Sequence, residues 1–443
     1  MSFRKVVTVG LALAWGFASG LAQDPASPAP ASPGGTAPVT FTKEIAPLVF
    51  KNCAQCHRPG EVAPFPLLSY ADVQKRAKTI LAVVEKRLMP PWKPEPGVGE
   101  FHDARRLSDS EIALFKRWVG EGTPEGDLAD LPPAPKFSDG WQLGEPDLVV
   151  KMAKPFTVPA EGRDVFRCFV IPLDQTEDRQ VSAVEFRPGN RKVVHHALFF
   201  LDTSGRARQL EAKEEEPGYP SVGGVGFLPS GGLGGWAPGA FPRFLPKGIA
   251  RPLRKGSDLV LQLHLHPTGK REVEQSTLGI YFSKEPAKRL TFGFPIASRA
   301  IDIPPGEKAY VVKSSWTLPA DVETIGVTPH AHYLCKEMKA NATLPDGTTR
   351  GLIWIKDWDF NWQGQYQYKE AIPLPKGTRV SFEYTYDNSD GNPRNPSSPP
   401  KRVTFGEETT NEMAFLFLMI VPQRATDLPA LRLDALRATT QGR

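Results

Sequence analysis

The chain has 443 residues, a net charge of +5 and four cysteines. At roughly 150 residues per domain, that length has room for two or three domains. The modest charge, with no basic run interleaved with aromatics, argues against nucleic-acid binding, and the cysteines are too few for a disulfide scaffold.

Residues 1–22 have the layout of a secretory signal peptide. Arg4 and Lys5 precede an uncharged apolar run from Val6 to Ala22, with Gly20 and Ala22 at −3 and −1 of a cleavage site. An uncleaved anchor is the alternative, but the run is short for a bilayer span of ~20 residues. No later stretch is long and apolar enough to span. The expectation is an exported protein, periplasmic or secreted, with no transmembrane segment in the mature chain. Residues 23–39 are almost entirely Ala, Pro, Ser, Gly and Thr and read as a linker.

From 40 to 127 the apolar spacing is helical. Ile45, Leu48, Val49 and Cys53 recur at three and four residues, as do Val73, Ala77, Ile80, Val83 and Val84. Ser108 and Glu111 match a capping box ahead of an Ile112, Phe115 and Val119 stripe. The spacing predicts a small all-α domain of three helices. Within it, Cys53-Ala54-Gln55-Cys56-His57 carries the C-x-x-C-H signature of covalent haem attachment. Two thiols add across the two vinyl groups of one porphyrin, and the adjacent imidazole becomes the proximal iron ligand. A zinc site would need a second ligand pair, for which the module offers only His102. One haem c is therefore expected, and the module reads as a cytochrome c domain. Met89, followed by Pro90, Pro91 and Trp92, is the module's only methionine and the expected sixth ligand, with His102 as the alternative. His/Met ligation closes the iron to dioxygen and suits electron transfer, so an external electron donor to the haem is an expected partner.

After the Pro-rich joint at 131–135 the period changes to two. Short alternating stretches recur, among them Val165–Ile171, Val193–Leu201, Asp258–His266, Glu323–His332 and Glu412–Val421. Many strands without helices between them predict antiparallel sandwiches. The stretch is longer than one sandwich needs, so two all-β units are expected, at 145–298 and 299–424, with 425–443 as a tail. The Gly- and Pro-rich stretch 217–250 reads as a long surface loop, since its glycines lack the strand-Gly-helix context of a nucleotide site.

Of eight histidines, six come as three pairs in the β region: His195-His196, His264-Leu265-His266 and His330-Ala331-His332. Alternate residues of a strand share a face, ~7 Å apart, close enough for two imidazoles to converge on one metal. His195 and His196 would face opposite ways on a regular strand, so joint ligation requires a bulge or strong twist. Imidazole-rich sites without carboxylates suit copper or zinc, and thioether sulfur tips the choice toward copper. Zinc is redox-inert and would give a haem carrier nothing to reduce.

These motifs resemble the copper type II, ascorbate-dependent monooxygenases, the family of peptidylglycine hydroxylating and dopamine β-monooxygenases, over residues 145–423. Val194-His195-His196 is similar to the family's His-His pair, and Leu259 to His264 to the strand supplying a third histidine. His330-Ala331-His332 is similar to its His-x-His, and Asn411-Glu412-Met413 to its Glu-Met element. The resemblance implies two jelly-roll-like sandwiches, one copper each, facing across a solvent-filled cleft. His195, His196 and His264 would hold an electron-storing copper. His330, His332 and Met413 would hold the copper that meets dioxygen and carry the catalysis. Met338 shares the His330/His332 parity and is the rival to Met413, Gln262 is a candidate orienting residue, and His266 has no assigned role. The implied reaction is hydroxylation of a C–H bond of a small-molecule substrate by dioxygen. Thr328, Phe415 and Phe417 stand where peptide-processing members anchor a carboxylate, so a glycine-extended peptide is not expected. The family's disulfides are also missing, and Cys168 and Cys335 are expected to be unpaired, buried thiols, with a disulfide between them as the alternative. The alternative is a non-enzymatic copper-binding or redox-sensing electron-transfer protein.

Overall fold

The computed structural model describes residues 37–440 apart from 62, 138–139, 222–223 and 239. The expected signal peptide and nearly all of the linker therefore lie outside the described residues. The rest is mostly β, arranged in several sheets, with helices at both ends. No helix among the described residues is long and apolar enough to cross a membrane.

The first helices run Phe41–Ile45, Ala46–Asn52, Tyr70–Gln74, Ala77–Glu85 and Asp109–Gly120. The second of the three expected helices breaks in two at Lys75 and Arg76, after a short turn capped by Ser69. The capping box is present: the Ser108 hydroxyl accepts from the Glu111 amide at 3.2 Å, and the Glu111 carboxylate accepts from the Ser108 amide at 2.7 Å. Apolar spacing pays off in one shared core of Phe41, Ile45, Val49, Val73, Phe115 and Trp118. The loop that follows Met89 leaves this core. Pro94 pairs with Ile355 and Phe101 with Tyr368, so the loop adds itself to the second β unit.

In the first β unit, five strands lie in the order Tyr219–Pro220, Val165–Pro172, Asp258–Leu265, Val194–Asp202 and Gly231–Trp236. A second sheet centres on Thr277–Phe282 and Arg179–Arg187. Leu259, Leu261, Leu263 and Leu265 all point into the core that both sheets share, together with Val181, Phe186 and Ile280. That period of two sends Gln262 and His264 to the other face. The second β unit pairs one sheet, in the order Phe292–Ser298, Ala414–Pro422, Val322–His330 and Tyr366–Leu374, with another built from Tyr310–Thr317, Arg379–Tyr386, Cys335–Thr343 and Thr349–Ile355.

Three expectations need correction. Phe292–Ser298 pairs along its length with Ala414–Pro422, which moves the boundary between the β units back to about 290. The supposed loop 217–250 contains the strand Gly231–Trp236, hydrogen-bonded to Ala197–Leu201. Its glycines hide the alternation but permit the approach, since a Cβ on Gly235 would sit 2.8 Å from the Ala197 carbonyl oxygen. A further strand, Tyr366–Leu374, carries Pro373 at a sheet edge, where proline is tolerated. The tail forms a helix, Leu428–Thr440, whose Leu431 and Ala438 are buried in the core of the second β unit.

Candidate metal centre

His195, His196 and His264 come together. Val194 pairs with Leu265 and His196 with His264, leaving His195 as the extra residue of a bulge. The bulge turns both neighbouring imidazoles to one side of the strand. His196 Nδ1 lies 3.3 Å from His195 Nδ1 and 3.3 Å from His264 Nδ1. A metal–nitrogen distance of ~2.0 Å with tetrahedral angles places ligand nitrogens ~3.3 Å apart, so the spacing is that of a coordination shell. Burial lowers the pKa of His195 to about 3 and that of His196 well below the ordinary value. The rings are therefore neutral near pH 7, with lone pairs available to a metal.

Asp164, which no sequence pattern singled out, orients the third ring. Its carboxylate accepts from His264 Nε2 at 2.9 Å and from His266 Nδ1 at 2.7 Å. With the proton on Nε2, the His264 Nδ1 lone pair faces the cluster. Burial would raise the Asp164 pKa, but the two imidazole hydrogen bonds outweigh it and hold the carboxyl well below the usual range. Phe166 stacks on His264 with centroids 4.2 Å apart. His266, unassigned from sequence, thus braces Asp164. Asp164→Asn is expected to weaken metal binding at this cluster by about 10–100-fold, read by competition with a chelator. Unchanged affinity would remove Asp164 from the site.

The second set is arranged by the other ring nitrogen. His330 Nδ1 donates to Gln363 Oε1 at 2.6 Å, and His332 Nδ1 donates to the Asn411 carbonyl at 3.0 Å. Both rings are fixed with Nε2 unprotonated, and their centroids are 5.3 Å apart. Burial pulls His330 down and His332 to about 3. Glu412, fully buried, ties the Met strand to this segment. Its carboxylate accepts from the amides of His332 at 2.8 Å, Leu334 at 2.6 Å and Met413 at 3.2 Å. Burial pushes Glu412 up to about 8, against the pull of those amides. The Met413 and His332 backbones are thereby joined through one carboxylate, whereas Met338 is fully buried in the core of the second β unit.

The space between the two sets differs from the expected solvent-filled cleft. Phe360, 3% exposed, stacks on His195 at 4.6 Å and meets His332 edge-on at 5.5 Å. One buried ring touches an imidazole from each set. Gln262 also differs from expectation: its Nε2 donates to the carbonyls of Gly224 at 2.6 Å and Ser221 at 3.2 Å, which anchors a loop.

In the helical module, Cys53 and Cys56 are unpaired thiols, and burial pushes Cys53 up to about 12. His57 Nδ1 donates to the Phe65 carbonyl at 3.1 Å, which leaves Nε2 as the free lone pair of a ring followed by no competing contact at that nitrogen among those described. Met89 packs against the same helical core as Cys53. His102 instead lies on the docked loop, its amide bonded to the Gln367 carbonyl at 2.9 Å. Cys168 and Cys335 are free and buried, as expected.

No protein-family model and no curated protein matches the chain. Among solved structures it is similar to PNGF-II, at 10% identity over 61% of this chain and 65% of that one, with a TM-score of 0.29. It is also similar to the VP2 subviral particle of infectious bursal disease virus, at 10% identity over 68% and 76%, with a TM-score of 0.20. The major capsid protein P2 of bacteriophage PM2 gives 6% identity over 58% and 97%, with a TM-score of 0.23. The chain spans 65% of the length of the PNGF-II chain. Likenesses this distant leave the function to the residues themselves.

Proposed function

We propose that this chain is an exported copper monooxygenase of the ascorbate-dependent type, hydroxylating a C–H bond of a small organic substrate with dioxygen. On this reading a c-type haem, attached at Cys53 and Cys56 and ligated by His57 and Met89, delivers electrons. The module at 40–127 would be a cytochrome c domain, and the two β units jelly-roll-like sandwiches. The observation that carries the reading is the pair of inequivalent ligand sets. His196 Nδ1 lies 3.3 Å from both other Nδ1 atoms in one, and Nδ1 contacts free the two Nε2 atoms of His330 and His332 in the other.

His195, His196 and His264 would hold one copper, and His330, His332 and Met413 the second. Copper supplies a one-electron couple in the first set and dioxygen activation in the second. The chain's own residues do the rest. Asp164, Gln363 and Asn411 fix the rings, Glu412 ties the Met413 backbone to that of His332, and Phe360 keeps water out between the sets. The haem loop reaches the second set through contacts: Trp92 meets Tyr366 edge-on at 5.4 Å, and Gln363, three residues earlier, bonds His330. These contacts give an electron a packed route rather than a gap.

The test uses the haem-loaded, copper-reconstituted protein. Two coppers per haem are expected, and anaerobic mixing of reduced haem with oxidised copper should reoxidise the haem within seconds. Fewer than two coppers, or a haem that stays reduced for minutes, would sink the reading.

A further inference from the structure

We propose that the cavity walled by the Cys56 loop and both β units takes a carboxylate carried on a flat apolar body, with Arg105 and Arg251 as its receptors. The proposal deepens the functional reading by naming a substrate class and rests on it in that respect only, since the binding itself needs no copper.

Four arginines line the cavity. Two have carboxylate partners from the chain: Arg191 lies 3.6 Å from Glu61, and Arg243 pairs with Asp103. The other two do not. Arg105 Nε and Nη1 are shielded from solvent and have no hydrogen-bond partner. Its guanidinium lies over the Phe241 ring at 4.7 Å and toward Trp92 at 5.9 Å, contacts that offset only part of its lost hydration. Arg251 reaches a single acceptor, the Met419 sulfur at 3.6 Å, and a thioether accepts weakly. Burial draws Arg251 down to about 10, which still leaves it charged at neutral pH.

A buried cation without a counter-ion is costly, and a fold keeps one where a ligand brings the opposite charge. The planar guanidinium fork matches a carboxylate in two parallel hydrogen bonds. The lining also carries four aromatic rings, Phe186, Phe199, Trp236 and Tyr366, beside polar groups such as Gln142 and Gln365, and those rings suit a flat apolar body on the acid. Position adds a length. Met419 pairs with Gly326, which lies four residues before His330 on the same strand and the same face. Four residues of strand span ~13 Å. The cavity lining reaches Thr328 on that face, two residues before His330.

Two sources carry this chemistry: a free aryl-alkyl carboxylic acid, and the propionates of a haem attached at Cys56. Calorimetric titration of the haem-loaded, copper-free protein with 4-phenylbutanoate and with its neutral amide separates them. If the acid binds and the amide does not, and Arg251→Gln weakens binding at least tenfold with partial rescue by Arg251→Lys, the site takes free acids. If the acid does not bind, but Arg105→Gln moves the propionate break in the haem potential–pH curve to higher pH, the propionates occupy it. If acid and amide behave alike and that break stays in place, the proposal is overturned. The wild-type comparison of acid with amide requires no variant to fold. Copper stoichiometry is measured separately, so failure of the copper reading leaves the acid titration unaffected.

Discussion

Replacing Glu412 with alanine is expected to cost about 3–5 kcal/mol of stability, a large share of the ~5–15 kcal/mol that holds a typical domain. The carboxylate is fully buried and accepts from three backbone amides, those of His332, Leu334 and Met413. Alanine leaves those donors without partners, at about 1–3 kcal/mol each for the most buried. It also opens a cavity, so no neighbouring group or water restores all three at once. The loss is not only one of stability. The same three bonds join the Met413 strand to the His330–His332 segment, so metal binding at that set should fall with the melting temperature. Glu412→Gln keeps one carbonyl acceptor of nearly the same size and should recover part of both. Thermal unfolding and metal analysis of the two variants check this. A Glu412→Ala protein that melts within 2 °C of the parent and keeps its metal, where about 1 kcal/mol shifts Tm by several degrees, would show that the clamp is not needed.

The clustering of His195, His196 and His264 was legible in the sequence because histidines are scarce in this chain and their spacing is tied to strand geometry. Six of eight histidines in three doublets left little room for chance, and the bulge at His195 followed from asking how two adjacent residues could face one point. What surrounds the ligands was not legible. Asp164, Phe360 and Gln363 reach the site from loops or strand starts far away in sequence, and each is an ordinary residue in its local context. Their roles exist only once strands are registered against one another. The fold was misread for related reasons. Gly231–Trp236 has no alternation because four of its six residues lack side chains, and its pairing with Ala197–Leu201 is decided by close backbone approach. The helix at Leu428–Thr440 leaves Leu433 and Leu436 exposed, so its apolar residues form no single buried stripe, and docking on the Phe292–Ser298 strand buries Leu431. Tertiary contact settles both segments where local pattern does not.

His196→Ala is expected to remove one metal per chain while leaving the second set loaded. His196 Nδ1 is the hub of its cluster, at 3.3 Å from both other Nδ1 atoms, so its loss breaks both close contacts. The remaining pair, His195 and His264, is a two-nitrogen site. Disturbing an outer partner of a metal ligand typically costs 10–100-fold in affinity, so deleting a ligand should cost more than about 100-fold. Stability should move the other way or not at all in the metal-free protein. Three neutral imidazoles with lone pairs aimed at one point repel, and removing one relieves that arrangement at the expense of a small cavity. The second set should be spared, because His330 and His332 are oriented by their own hydrogen bonds to Gln363 and to the Asn411 carbonyl. Metal content by mass spectrometry, chelator competition and thermal unfolding of the metal-free protein read the three consequences separately. Retention of two metals at parental affinity would show that His196 is not a ligand. Loss of both would show that the two sets are not independent, and the Phe360 ring that touches His195 and His332 would then be the element to mutate next.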